Sequence, residues 1–241
     1  MLSPRIITDL SIATVATAGT LTYAALSPQS QLFGRTILAG KDPNEIALTY
    51  DDGPNDDATL ALLDLLAQHN ARATFFMIGR FVRERRDLVR AVHAAGHLIG
   101  NHTTTHPWFT ACTPSRTREE LTACTAALED AIGESIRYVR FPHGARWPHT
   151  IRIAHELNLT PIQWNITAFD WQPIAPEAIL AHIDRGLASA HKRNTGANIL
   201  LHDGHQSGIG ADRSATIAAT AQLLARFHRE GKRLVTPDAW A

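Results

Sequence analysis

Cysteine is almost missing from this chain: only Cys112 and Cys124 occur among 241 residues. So few exclude a small disulfide-stapled scaffold, and without a C-x-x-C pair there is no cysteine-based zinc clip. The two thiols are read either as one disulfide of an oxidising compartment or as two buried free cysteines. An excess of charge is missing too, because Lys+Arg and Asp+Glu both total 23. No basic field points to a nucleic-acid partner, no acidic tail points to disorder, and nothing implies a protein partner. Repeats and low-complexity segments are absent. No G-x-G-x-x-G follows a strand-like run, no G-x-S-x-G elbow is present, and His155-Glu156 lacks the second histidine of H-E-x-x-H. These absences remove, in turn, a dinucleotide fold, a serine hydrolase and a zinc protease.

Long uncharged runs are scarce, with one exception. From Leu10 to Gly34 there is no charged residue, and Arg5 precedes the stretch. Residues 1–40 are therefore read as an N-terminal apolar segment plus linker, ahead of a catalytic domain at 41–241. A membrane anchor that leaves the domain outside the cytoplasm is the expectation. A signal peptide ending near Ala16-Thr17-Ala18, with secretion, is the alternative, and a peripheral helix of the domain is another.

What is present is alternation. Apolar runs at Ile46–Tyr50, Ala73–Ile78, His97–Asn101, Tyr138–Phe141, Pro161–Ile166, Asn198–His202 and Arg233–Thr236 read as strands. Amphipathic stretches at Thr59–His69, Val82–Ala95, Ser115–Ile132, His149–Leu157, Pro176–His191 and Ser214–Glu230 read as helices, with Gly96 and Gly231 placed to end two of them. Such alternation predicts an α/β fold with a parallel sheet, either a barrel or a doubly wound sheet.

The chemistry-bearing residues are not scattered. Asp51-Asp52 closes the first strand inside Thr49-Tyr50-Asp51-Asp52-Gly53-Pro54. Adjacent carboxylates repel, and a strand points them in opposite directions, so a turn and a cation are the natural way to bring both to one cavity. His102 and His106 follow the third strand at a spacing that puts both rings on one face of a helix or strand. Two imidazoles and one carboxylate form a three-ligand site with positions left for water, as catalytic zinc requires. Arg140 closes the fourth strand, Asp170-Trp171 follows the fifth and His202-Asp203 closes the sixth. All stand at carboxyl ends of strands, where α/β barrels assemble active sites.

These segments, in this order, resemble the polysaccharide deacetylases with a NodB-type homology domain, carbohydrate esterase family four. The family pattern T-[FY]-D-D-G-P, H-[ST]-x-x-H, R-x-P-[aromatic]-G, D-[aromatic] and L-x-H is matched by Thr49 to Pro54, His102 to His106, Arg140 to Gly144, Asp170-Trp171 and Leu200 to His202. The resemblance runs from about Glu45 to Ala241. It implies an irregular (β/α) barrel of about seven parallel strands. It also implies removal of N-acetyl groups from an amino-sugar glycan, peptidoglycan or chitin-like, as the acetylated substrate. The resemblance further implies one divalent metal held by Asp52, His102 and His106, most often zinc, with cobalt, nickel or manganese as alternatives. Asp51 would be the general base, with Arg140 holding it. His202 would be the general acid, with Asp170 raising its proton affinity. The main-chain N–H of His143 would face the developing oxyanion, and Trp171 and Leu200 would line the acetyl pocket. One departure stands out: His143 occupies the place of the usual aromatic ring. Asn101 and Thr103 are expected to support the ligand histidines. An O-acetyl esterase acting on a polysaccharide such as xylan, or a non-catalytic glycan-binding protein on the same scaffold, are the competing readings.

Overall fold

Strand-length runs of buried apolar residues, each followed by an amphipathic helix, must form a parallel sheet, because only a crossover can return the chain to the same edge. The computed structural model describes residues 19–241. A helix at 19–26 (α1) precedes β1 (Glu45–Gly53), α2 (Asp56–Gln68), β2 (Thr74–Met77), α3 (Gly79–Glu84), α4 (Arg86–Ala94) and β3 (Leu98–Asn101). There follow α5 (Pro114–Ile132), β4 (Tyr138–Val139), α6 (Pro148–Glu156), β5 (Thr160–Pro161), β6 (Ile166–Thr167), α7 (Pro176–Lys192), β7 (Ala197–His202), α8 (Ser214–Arg229) and β8 (Arg233–Leu234).

The sheet runs β5-β4-β3-β2-β1-β7-β6 with every pairing parallel, and β8 lies beside the start of β1. The path is not closed by a β5–β6 pairing, so the barrel is irregular and open between those strands. β1 is its centre. From Ile46 to Gly53 every residue is buried, as befits a strand with β7 on one flank, β2 on the other and helices outside. Its side chains join Phe75, Val89, Leu121, Leu201 and Leu223 in one core.

Two expected elements divide. The run Pro161–Ile166 is not one strand: Thr160–Pro161 pairs with β4, Ile166–Thr167 pairs with β7, and the residues between cross the open side of the barrel. Val82–Ala95 is two helices, because Arg85 adopts φ −130° and ψ 46° and its guanidinium turns to Asp56 at 2.5 Å. The two cysteines are free thiols. Of the expected anchor or signal, most falls outside the described residues. Among the described residues no helix is long and apolar enough to cross a membrane.

Residues 27–40, the described end of the 1–40 segment, pack on the domain. Ile37 forms a parallel bridge with Ile162, its N–H donating to the Pro161 carbonyl at 2.9 Å and its carbonyl accepting from Gln163 at 2.8 Å. Thus the strap runs along the open edge of the barrel at β5. Arg146, 1% exposed, clasps it. Its main-chain N–H donates to Ala25, while its guanidinium donates to the carbonyls of Ser27, Pro28, Ser30 and Gly144. No acid is among those partners, and burial draws the guanidinium down to about 10. Removing these donors leaves several carbonyls without partners, each costing roughly 1–3 kcal/mol where water cannot reach. Arg146→Met is therefore expected to destabilise the fold by about 2–4 kcal/mol, a fall in Tm of roughly 5–15 °C, with Arg146→Lys recovering part. An unchanged Tm in thermal unfolding would show that the clasp carries no stability.

Candidate active site

The first acidic pair reaches one cavity through a bulge. The β1–β2 register shifts between Asp51 and Gly53, and Asp52 takes the left-handed conformation at φ 72°. That single inserted residue undoes the alternation that would otherwise aim the two carboxylates apart. Gly53 is required beside it, since a Cβ there would come within 2.2 Å of the Asp203 carboxylate. Asp203 is wholly buried and accepts from Thr59 Oγ1 at 2.6 Å, and burial pushes its carboxyl up to about 7. It lies behind the bulge and locks the strand end to α2.

His102 and His106 lie neither on a helix nor on a strand face as their spacing suggested. They flank a turn after β3, with Thr103 at φ 66° and His106 at φ 61° bringing the ring centroids to 4.9 Å. Asn101 and Thr103 support this turn through its backbone: Asn101 Oδ1 accepts from Thr103 N–H at 2.7 Å, and Thr103 Oγ1 from His106 N–H at 3.0 Å. The rings are oriented by other groups. His102 Nδ1 donates to the Arg140 carbonyl at 2.9 Å, and His106 Nδ1 lies 2.5 Å from Gln206 Oε1. Each ring therefore turns its Nε2 lone pair inward, the second-sphere device common to histidine metal ligands.

That inward geometry suits a cation. His102 Nε2 and His106 Nε2 lie 3.5 and 3.2 Å from Asp52 Oδ1, which is buried and has no hydrogen-bond partner among the described residues. Burial pushes His106 down to about 3, keeping its ring neutral. Burial alone would raise the Asp52 carboxyl, but its contact with His102 and the neighbouring His106 and His202 rings hold it well below the usual carboxylate range. Asp52, His102 and His106 thus offer three donor atoms within 4.8 Å of one another. Two lone pairs and an anion converging on one point repel unless a positive ion sits between them.

Asp51 is paired on its other side. Arg140, fully buried in the barrel interior, donates from Nη1 to Asp51 Oδ1 at 2.8 Å and to Thr49 Oγ1 at 2.8 Å. Its guanidinium lies 4.2 Å from the Phe76 ring centroid, and Nη2 reaches the Gln163 carbonyl at 3.3 Å. Burial lowers the guanidinium proton affinity, and the Asp51 carboxylate opposes that. A charge so deep persists only because it is paired and hydrogen-bonded. The pairing leaves Asp51 Oδ2 facing the cavity side, 3.6 Å from His102 Nε2.

Across from the trio, His202 ends β7. The Asp170 carboxylate accepts from His202 N–H at 2.7 Å, from the ring at Nδ1 at 2.9 Å and from Thr216 Oγ1 at 2.8 Å. Burial disfavours the imidazolium, but Asp170 outweighs it through charge and hydrogen bond, with Asp52 and Asp51 adding, and the ring is raised to about 9.

Asp51, Asp52, His102, His106, His143, Trp171, Leu200 and His202 border one cavity of about 380 Å³, and Arg140 and Asp170 stand behind it. Trp171 is no core residue: it is 40% exposed and meets His202 edge-on at 5.3 Å. Four further residues line the cavity, Trp108, Trp164, His205 and Gln206, none of them among the predicted site residues. Gln206 carried a faint signal, being polar within the Gly204–Gly210 loop just after His202.

Backbone strain marks the same place. Among the described residues eight non-glycine ones have positive φ, and Asn70, Asn158 and Asn194 simply end helices, as asparagine often does. The other five are Asp52, Thr103, His106, His143 and Phe169. Each costs of order 1–3 kcal/mol, and residues so held cluster where side chains must be aimed.

The family model for polysaccharide deacetylase matches residues 39–162. A chitooligosaccharide deacetylase of Rhizobium leguminosarum bv. trifolii is 35% identical over 200 residues, spanning 80% of this chain and 90% of that protein. A peptidoglycan-N-acetylglucosamine deacetylase of Bacillus cereus is 34% identical over 193 residues, spanning 79% and 85%. The solved structure of a peptidoglycan N-acetylglucosamine deacetylase superposes with a TM-score of 0.73 at 27% identity, covering 83% of this chain and 89% of that one.

Proposed function

The chain belongs to the polysaccharide deacetylase family, and from that premise we propose that it is a metal-dependent hydrolase removing N-acetyl groups from amino-sugar glycans of the chitin-oligomer or peptidoglycan kind. One observation carries the reading: two imidazole lone pairs and an unpartnered carboxylate oxygen converge beside a second carboxylate aimed by a buried arginine.

Asp52, His102 and His106 would hold the ion, and zinc is the proposed metal because two imidazoles and one carboxylate are a catalytic zinc donor set. Such an ion supplies Lewis acidity, polarising the acetyl carbonyl and making an adjacent water acidic enough to lose its proton near neutral pH. Asp51 accepts that proton at Oδ2, while Arg140 holds Oδ1 and fixes the carboxylate plane. The main-chain N–H of His143 faces the oxygen on which negative charge develops. His202, charged through Asp170, donates its Nε2 proton to the departing sugar nitrogen, so the amine leaves neutral. Leu200 and Trp171 shelter the acetyl methyl group.

Acetate release from a panel of acetylated glycans tests the reaction. Amino-sugar substrates are expected to react, and release from acetylated xylan alone would assign the site to O-esters. Metal analysis tests the ligands separately. His102→Ala is expected to reduce the purified protein from about one divalent ion per chain to a small fraction, as loss of one of three ligands should. Equal metal in both proteins would show that His102 is no ligand.

A further inference from the structure

Trp108 is 50% exposed, an unusual place for the largest apolar side chain. It is nonetheless built in. Pro107 stiffens its approach, and Phe109 beside it is fully buried against Phe141 at 5.8 Å. The Thr110 carbonyl accepts from Trp147 Nε1 at 3.0 Å. One face of the Trp108 indole lies flat on His143, with centroids 3.8 Å apart and planes 9° apart. His143 in turn meets His106 edge-on at 4.6 Å. The supported ring is therefore only one imidazole away from the proposed metal ligands, and Trp108 lines the same cavity. The cavity itself, about 380 Å³, falls near the small end of the ~300–1,000 Å³ common for ligand pockets. That is room for about one acetylated sugar.

We infer that Trp108, backed by His143, is a stacking platform for the sugar next to the one being deacetylated, so that the preferred substrate is an oligomer. The inference rests on the proposed deacetylase reading and adds the length of glycan it takes. A pyranose ring shows an apolar face of C–H bonds, and a flat electron-rich ring held rigidly loses little entropy in receiving it. Trp171, 40% exposed beside His202, stands on the acid's side of the same cavity, so a glycan crossing the site passes between aromatic shoulders.

The test is kcat/KM on chitin oligomers of one to five units for wild type, Trp108→Ala and Trp108→Phe. The ratio of the tetramer value to the monomer value is expected to drop about tenfold in Trp108→Ala, chiefly through KM, and to be largely kept in Trp108→Phe. An unchanged ratio, whether all lengths slow equally or none slows, overturns the platform. Quenching of tryptophan fluorescence by the tetramer in wild type and Trp108→Ala, each without turnover, gives an independent answer. If wild type releases no acetate from any oligomer, the deacetylase reading fails. The platform then stands or falls on whether Trp108→Ala weakens tetramer binding about tenfold or leaves it unchanged.

Discussion

Asp51→Asn is expected to lower kcat by about 10²–10⁴-fold while the protein keeps its metal. The amide has the shape of the carboxylate and can still accept the Arg140 hydrogen bond, but it cannot take a proton from water. The proposed metal-binding trio is untouched, because Asp52 and not Asp51 is the carboxylate grouped with both histidines. One side effect has a definite sign: Arg140 loses the carboxylate it pairs with in the barrel interior, and a buried charge without its counter-ion is destabilising. Thermal unfolding should register that loss while circular dichroism and metal content stay near wild type. A variant that arrives without metal would reverse the roles of the two aspartates.

Asp170→Asn is expected to move the alkaline limb of the kcat/KM profile to lower pH. The charge and hydrogen bond of Asp170 are what raise His202 to about 9 against its burial. Without them burial prevails, and the ring falls to or below its ordinary 6.5. At pH 8 the fraction of acid in the protonated form then drops roughly 30-fold, and the rate with it. A divalent cation beside Asp52 offsets part of the pull of Asp51 and Asp52 in both proteins alike, so the difference between them survives. The same coupling acts on stability. A histidine whose folded value lies above its unfolded one stabilises fully below about 6.5, and that contribution is lost as pH rises through about 9. An alkaline limb that stays in place in a folded, metal-loaded variant would separate Asp170 from the acid.

The barrel and the polar ends of its strands were legible because their signals are local. A buried parallel strand reads as a run such as Ile46–Tyr50, and the turn after it collects residues that packing does not explain. What stayed hidden depends on distant partners. Pro161–Ile166 is apolar enough for one strand, yet its two ends pair with β4 and β7 on either side of the barrel's open seam. No periodicity encodes such a seam. His102 and His106 were expected on a regular face, and it is the left-handed Thr103 and His106 that join them, a conformation those residue types do not advertise. Gln206 lies 100 residues from the histidine it orients, and Arg146 bonds a strap 116 to 119 residues away. Trp108 carries no signal in the sequence, and only the flat contact with His143 sets it apart.

β1 has β2 on one flank and β7 on the other, partners from opposite ends of the chain. A ribosome releases the amino end first, so Asp52, His102 and His106 emerge while β7 is still unmade. The groups that turn their rings, the Arg140 carbonyl and Gln206, come later, and Gln206 follows even His202. Long-range strand pairing is the slow part of assembling such folds. A nascent chain halted after α5 carries every proposed metal-binding side chain but neither Asp170 nor His202, and its imidazoles are not yet aimed. The order of synthesis therefore withholds both the proposed ion cradle and the proposed proton donor until the carboxyl-terminal strands have docked against β1.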